Sequence, residues 1–380
     1  MPALLIVTTV ESTLRAFFLP YVRYFKGMGW TVDAAANSAA SSRECLAVFD
    51  RCYDVEWNRS PLDLRNFTRT PARIRKIVEQ NGYDIVHVHT PVAAAVTRFA
   101  LKSLSAAGRP KVIYTAHGFH FYSGAPLKNW LLFYPVEKYL SRFTELLITI
   151  NAEDYARASG FAAKRVEYLP GVGVDVARFR DCREAADRSA LGVPEGAYML
   201  LSVGELNVNK NHAEVLRALA RIGDRNIHYV IAGDGPLRAE LRSRAAEFGV
   251  GAQLHLAGYR HDMPELYRSA DCFVFPSKRE GLPVALIEAA ASGLPLVCSR
   301  IRGSVDVAAK YPGCRLYESG DTDALAALLR VRPKRGENGT HSLPEEIFGL
   351  RAAVEATERL YNGLLESGAV HTERGGAVDA

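Results

Sequence analysis

Buried-strand runs alternate with helical stretches along the whole chain, and this rhythm narrows the fold more than any other feature. Leu4–Thr8 opens the series and Trp30–Val32 begins a second run. Asp84–Val88, Lys111–Thr115, Leu146–Ile150 and Arg165–Leu169 follow. Between them lie helical stretches, from about Ala16 to Lys26 and from Pro71 to Gln80, the proline opening its helix where a missing N–H costs nothing. The rhythm restarts with Met199–Val203, Tyr229–Ala232, Leu254–Leu256, Cys272–Phe275 and Leu296–Cys298, and helical residues recur at Glu214–Ala220 and Leu237–Phe248. Runs that are apolar on both faces need helices on both faces, so each series predicts a doubly wound parallel sheet. A length of 380 residues fits two such units.

The expected division is a first α/β domain over 1–178 and a second over 179–350. A helix over 351–366 then packs back on the first domain, and 367–380 form a disordered tail. The stretch from Pro170 to Pro194 reads as the linker. Two facing doubly wound domains form a cleft, and ligands on such sheets bind beyond the carboxyl ends of the strands. Residues just after strands therefore carry the most weight.

Charge adds one constraint. Residues 1–180 hold 23 Lys and Arg against 15 Asp and Glu, and the remaining 200 hold 24 against 27. The basic half, with Arg69, Arg73, Arg75 and Lys76 close together, fits an anionic partner or a solvated face. No apolar run reaches the ~18–20 residues that a membrane-spanning helix needs, and Leu4–Val7 lacks a basic leader and a cleavage site. The expectation is a cytoplasmic protein, peripheral at the inner face of the cell membrane where it meets lipid. The six cysteines form no Cys-x-x-Cys pair and read as reduced.

The most informative segment runs from Ala270 to Val297: a buried strand, a loop carrying Glu280 and Gly281, and a helix that starts near Pro283. The helix start offers unpaired N–H groups to a phosphate. Glu288, about two turns into that helix, is flanked by Ile287, Ala289, Ala290 and Ala291. A carboxylate in such company needs a partner, and ribose hydroxyls would supply one; a solvated helix residue is the alternative. His117 follows the run Val112–Thr115, where a histidine is either structural or faces the cleft. His87 alternates with apolar residues and reads as core, while His89 ends its strand.

The two glutamates at this spacing resemble the Glu-x7-Glu motif of the family-4 retaining glycosyltransferases, which have the two-Rossmann GT-B fold. The resemblance covers nearly the whole chain. Ser202–His212 resembles the donor-phosphate loop, and Ala232–Leu237 and Gly258–Arg260 match the next two strand ends. Tyr114–Tyr122 and Gly124–Trp130 are similar to stretches of bacterial exopolysaccharide and capsule enzymes.

What the resemblance implies falls on particular residues. Lys210 would neutralise the pyrophosphate of a nucleotide-sugar cosubstrate, UDP-linked by expectation, beside Gly204 and Asn211. Backbone groups at Tyr259 and Arg260 would meet the base. Glu280 would hold hydroxyls of the transferred sugar, with Gly281, Leu282, Pro283 and Val284 cradling sugar and phosphate, and Glu288 would anchor the ribose. His117 would help stabilise the transition state. The acceptor would be a glycan or a polyprenyl-diphosphate-linked glycan at the basic domain. Neither a metal nor another cofactor is expected, and nucleic acid is not an expected partner. Two departures stand out. Glu205 occupies a position where relatives carry arginine, leaving it to orient Lys210 or to contact acceptor hydroxyls. Thr8–Thr13 replaces a glycine pair after the first strand, leaving Ser12 and Thr13 as the candidate contacts of that loop. Other readings are a nucleotide-sugar epimerase on the same fold and an inactive sugar-nucleotide-binding module.

Overall fold

The computed structural model describes residues 1–57, 65–104, 109–336 and 342–373, and of 65–67 and 367–373 it describes the backbone alone. The chain divides into two compact units, Met1–Val172 with Ala353–Ala380, and Gly173–Ala352.

The N-terminal unit is built on a seven-stranded sheet of order β3-β2-β1-β4-β5-β6-β7. Its strands are β1 (Ala3–Val10), β2 (Thr31–Asn37), β3 (Cys52–Asp54), β4 (Ile85–His89), β5 (Lys111–Ala116), β6 (Leu146–Thr149) and β7 (Arg165–Tyr168). Every pairing is parallel. One face packs Leu5, Val7, Val86 and Val88 against Ile74, Ile77 and Val78 of the helix Arg65–Asn81, and against Ala93, Val96 and Leu101 of the helix Pro91–Leu101. The other face receives the closing helix: the Tyr361 ring stacks on Phe25 at 5.1 Å, and the Tyr24 hydroxyl donates to Glu358 at 2.5 Å.

The C-terminal unit has six strands in the order β10-β9-β8-β11-β12-β13. They are β8 (Tyr198–Val203), β9 (Ile227–Ala232), β10 (Leu254–Gly258), β11 (Cys272–Phe275), β12 (Leu296–Ser299) and β13 (Cys314–Tyr317), again all parallel. In each sheet the strand order reverses beside the first strand, β1 or β8, and such a switch point is where ligands collect.

Four expectations need correction. The helix around Pro71 begins at Arg65, so the proline lies inside it; the buried residues Thr70, Ile74, Ile77 and Val78 hold it to the sheet and offset a penalty of about 3 kcal/mol. No loop follows the first strand, because β1 runs to Val10 and helix begins at Glu11. Pro170–Pro194 is not a free linker. From Gly173 it belongs to the C-terminal unit, where Val176 and Phe179 are buried and Arg188 bonds the Ser269 carbonyl at 2.8 Å and Asp271 at 3.0 Å. The chain therefore changes unit at 172–173, not at 178. Finally, the closing helix is Leu350–Glu373 and includes seven residues read as tail, since no proline interrupts it. Gly375 and Gly376 lie outside the described residues.

Candidate active site

At the carboxyl ends of the C-terminal strands the backbone is closely packed, which is why glycines stand there. Gly204 follows β8 with φ +147°, and a Cβ on it would lie 2.9 Å from Cε of Lys210. A Cβ on Gly233, after β9, would meet the Gly204 carbonyl oxygen at 2.0 Å. The turn Asp234–Pro236 packs onto the neighbouring loop: Gly235 lies against the Leu206 backbone, and Leu206 N–H donates to the Asp234 carbonyl at 3.0 Å.

The stem of Lys210 thus crosses Gly204 and brings its ammonium 2.9 Å from Glu280 Oε1, over the Phe275 ring at 5.0 Å. Asn209 locks the two loops together. Its amide donates to the Arg279 carbonyl at 2.8 Å and to Glu280 at 3.3 Å, and its own carbonyl accepts from Lys278 N–H at 2.8 Å. Arg302 donates to the Glu280 carbonyl at 2.8 Å. Glu205 takes an indirect part: Asn207 donates its amide to Glu205 Oε2 at 2.8 Å and accepts the Lys210 N–H on its carbonyl oxygen at 3.0 Å.

The helix that follows spans Val284–Ala291 with Pro283 at its N-cap and no capping side chain, so its first N–H groups point into the loop. Leu282 is buried, and Gly303 supports the loop from below, where a Cβ would meet the Gly281 carbonyl oxygen at 2.4 Å. Glu288 bonds the Tyr267 hydroxyl at 2.9 Å. Burial pushes its carboxyl up to about 7, with the Tyr267 bond and the Arg178 charge opposing the rise. It is not a solvated helix residue.

Other predicted residues are spoken for or open. Asn211 caps the helix His212–Ile222 at φ +54° and donates to Glu214, a buried carboxylate that also accepts from Gly320 N–H at 2.8 Å. That geometry gives Asn211 a structural task. Tyr259 is 82 % exposed. Arg260 forms a pair with Asp262, through Nε at 2.8 Å, so its side chain is engaged and its backbone is what the strand end offers. Asp321 caps the helix Thr322–Arg330, its side chain accepting from Ala324 N–H, and Asp323 pairs with Arg221. Among the described residues no group of three or more His, Cys, Asp or Glu side chains is placed to hold a metal ion.

The N-terminal unit presents histidines instead. His87 is buried between Tyr361 and Thr115, at 2.5 and 2.7 Å, and is the core residue expected. His89 Nδ1 lies 3.1 Å from Nε2 of His117. Burial lowers His117 to about 4, His87 to about 3 and His89 well below the usual histidine range, so all three are neutral near pH 7. Only one proton serves the His89–His117 bond, and His89 Nε2 is buried with no partner. An orphaned lone pair costs less than an orphaned N–H. The proton therefore sits on His89 Nδ1, which puts the His117 proton on Nδ1, a neutral donor.

Ser12 and Thr13 stand in the first helical turn after β1, Ser12 exposed and Thr13 half-buried. Of the basic cluster, Arg69, Arg73 and Lys76 are exposed, whereas Arg75 turns inward to the Ala100 carbonyl at 3.3 Å. Sequence reasoning missed Tyr267, Thr90 and Arg302, and gave Asn207 no role of its own within Ser202–His212. The strand-end rule covers Thr90, just after β4, and Arg302, three residues after β12; Tyr267 lies inside a helix and gave no such signal.

Comparison with known proteins bears on this arrangement. Residues 184–331 match the family described as "Glycosyl transferases group 1", and residues 5–151 match "Glycosyl transferase 4-like". EpsD of Bacillus subtilis (strain 168), named as a glycosyltransferase, is 37 % identical over 330 residues, 85 % of each chain. The UDP-Gal:alpha-D-GlcNAc-diphosphoundecaprenol alpha-1,3-galactosyltransferase of Escherichia coli is 30 % identical over 267 residues, 67 % of this chain and 68 % of that one. In fold, the chain resembles Anabaena HepE solved with UDP and glucose, at a TM-score of 0.78 and 16 % identity, over 96 % of this chain and 100 % of that one. With two parallel-sheet α/β units of the GT-B kind and both family segments in place, the chain belongs to the glycosyltransferases and is a transferase.

Proposed function

We propose that this glycosyltransferase takes its sugar from a nucleoside diphosphate sugar, UDP-linked, and transfers it with retention to a lipid-linked glycan in the assembly of an extracellular polysaccharide. One observation carries the reading: Lys210 and Glu280 are paired across Gly204, beside an uncapped helix end, with Glu288 about one turn into that helix. A diphosphate fits the cation and the free N–H groups. Ribose hydroxyls fit Glu288, and the hydroxyls of the transferred sugar fit Glu280. Backbone groups at Tyr259 and Arg260 meet the base, and the neutral His117 of the N-terminal unit suits a sugar hydroxyl through Nδ1. The E. coli relative, named for a UDP-sugar and a diphosphoundecaprenol acceptor, supports the substrate classes. The exposed Arg69, Arg73 and Lys76 suit an anionic membrane surface, and among the described residues no helix is long and apolar enough to cross a membrane.

In the transfer, the bond from the anomeric carbon to the diphosphate breaks and a bond to the acceptor oxygen forms on the same face. The diphosphate gains charge as it leaves, and Lys210 with the helix-end N–H groups stabilises that charge more than it stabilises the bound donor. Glu280 is held by Lys210 and the histidines are too weak as bases, so the departing phosphate oxygen takes the acceptor proton. The test is a panel of nucleotide sugars incubated with a lipid-linked acceptor extract, with products resolved by mass and by anomeric configuration. Acceptor-dependent release of UDP with an unchanged anomeric configuration is expected. Conversion of a donor without acceptor, or an inverted product, would defeat the reading.

A further inference from the structure

The helix Leu127–Leu140 has the wrong surface for a helix facing water. Leu127 is 72 % exposed and Leu131 71 %, and Leu132, Val136 and Tyr139 are exposed beside them. A helix apolar on its outer face is covered by something in the working state. Between it and the helix Pro91–Leu101 runs a groove of about 790 Å³. We propose that this groove holds the hydrocarbon chain of the lipid-linked acceptor, an inference that rests on the acceptor class proposed above.

The two ends of the groove differ in chemistry. One end is lined by Thr9, Thr13, Thr90 and His120, near the carboxyl ends of β1, β4 and β5, where ligands of such a sheet bind. Beyond it the walls are apolar, with Phe99, Leu132, Val136 and Tyr139. Its one carboxylate, Glu137, is neutralised by buried Arg98 at 2.6 Å. A lipid lying in this groove would leave its polar head at the strand ends and its chain under the exposed helix, which is about 21 Å long by its rise.

Charge favours an anionic lipid over a protein or a second copy of this chain. Between Leu127 and Phe143 the single acidic residue is the buried Glu137, while Lys128, Lys138 and Arg142 are exposed. Lys102 adds a cation 4.0 Å above the Phe99 ring. The polar end carries a further mark of a ligand site. Thr90, a β-branched residue, is held at φ +65°, with Thr9 N–H bonded to its hydroxyl at 3.1 Å and the two hydroxyls 2.6 Å apart. Strain of this kind collects where ligands are clamped.

The test uses acceptors carrying the same sugar diphosphate on isoprenoid chains of five and twenty carbons. Each buried methylene adds about fourfold to affinity, so kcat/KM should rise at least ~100-fold from the shorter to the longer chain. Ala95→Phe fills the groove and Leu132→Glu charges its rim. Both should collapse that rise to within about threefold while leaving donor affinity unchanged. Leu132 is on the surface, so its variant keeps the test alive should Ala95→Phe fail to fold. A full chain-length effect in the folded variants overturns the proposal, as does a wild type that uses the five-carbon acceptor equally well. Conversion of a dimer to a monomer by Leu132→Glu with the chain-length effect intact overturns it too and assigns the face to a second copy. Use of a soluble glycan but of no lipid diphosphate removes the acceptor class itself, and the groove proposal with it.

Discussion

The carboxyl ends of the two sheets differ in electrostatics, and the usual order of titration is inverted between them. In the N-terminal unit three histidines, groups that ordinarily titrate near neutrality, are held uncharged by burial. In the C-terminal unit a glutamate, ordinarily ionised far below neutrality, is pushed up to about 7 by the same cause. Burial disfavours charge of either sign. What differs is what surrounds the group. The C-terminal strand ends keep their charges in pairs, Lys210 with Glu280 and Arg260 with Asp262. The N-terminal strand ends offer neutral hydrogen bonds and apolar walls, which suit hydroxyls and hydrocarbon. Each prediction below asks whether that division of labour holds.

Lys210→Ala should have the largest effect, because in the proposed transfer Lys210 is the cation that meets developing charge. Its kcat should fall about 10²–10³-fold with donor affinity reduced far less. Steady-state rates together with calorimetric donor binding check this. A variant that kept near-wild-type turnover would end the assignment and the contrast between the units.

Glu288 gives the next effect and carries a sign. In the proposed complex the ribose hydroxyls donate to the carboxylate, so donor binding would favour the ionised form. With its carboxyl at about 7, affinity should tighten about tenfold from pH 6 to pH 8, and Glu288→Gln should flatten this dependence. Stability runs the other way. The folded value lies above the ordinary 4.5, so the protonated acid is what the fold favours, and stability is lost as pH rises from 4.5 through 7. Glu288→Gln should therefore gain up to about 3 kcal/mol relative to wild type between pH 4 and pH 8. A urea titration at both pH values measures it. A residue kept at a cost to the fold and needed for binding is what a ligand site produces.

Most of the fold is legible because most strands are buried on both faces. β4 and β11 read directly from Ile85–Val88 and Cys272–Phe275, all of them buried. The edge strands β3 and β13 went unread: they are three and four residues long, and their mixed side chains lie at the sheet margin with little buried. Of the candidate site, Glu288 was visible as a charge among apolar neighbours that needs a partner, and Glu280 and Lys210 through the motif and loop that resemble the family-4 glycosyltransferases. The partners themselves were not, because Asn209, Arg302 and Tyr267 act through tertiary contacts that leave no local pattern. Asn211 shows the same limit. Its place beside Lys210 resembles a ligand contact, and its bond to buried Glu214 and its αL backbone at the helix start are tertiary and conformational facts with no local pattern.

A smaller effect distinguishes the histidine tautomer. If His117 donates through Nδ1, asparagine places a donor near that atom and glutamine near Nε2. His117→Asn should retain most activity, and His117→Gln should lose about five- to tenfold in kcat. In both cases the acid limb of the rate profile should not reflect a histidine near 6.5, since His117 lies at about 4. Equal loss in both variants would show that the neutral bond to His89, not donation to the sugar, is what matters.

Glu205 should matter least, and its small effect is the sharpest probe of how the C-terminal charges are organised. Its carboxylate reaches Lys210 only through Asn207, which accepts the Lys210 N–H. Glutamine preserves an acceptor for the Asn207 amide, so Glu205→Gln should change kcat by no more than about twofold, the worth of one exposed hydrogen bond. Asn207→Ala, which removes the bond to the lysine backbone, should cost more. The acceptor KM decides between this relay and direct contact with acceptor hydroxyls. A relay leaves it unchanged in Glu205→Gln, because the acceptor never touches the side chain. A rise in acceptor KM with donor affinity intact would move Glu205 to the acceptor side and make the C-terminal unit a partner in acceptor binding.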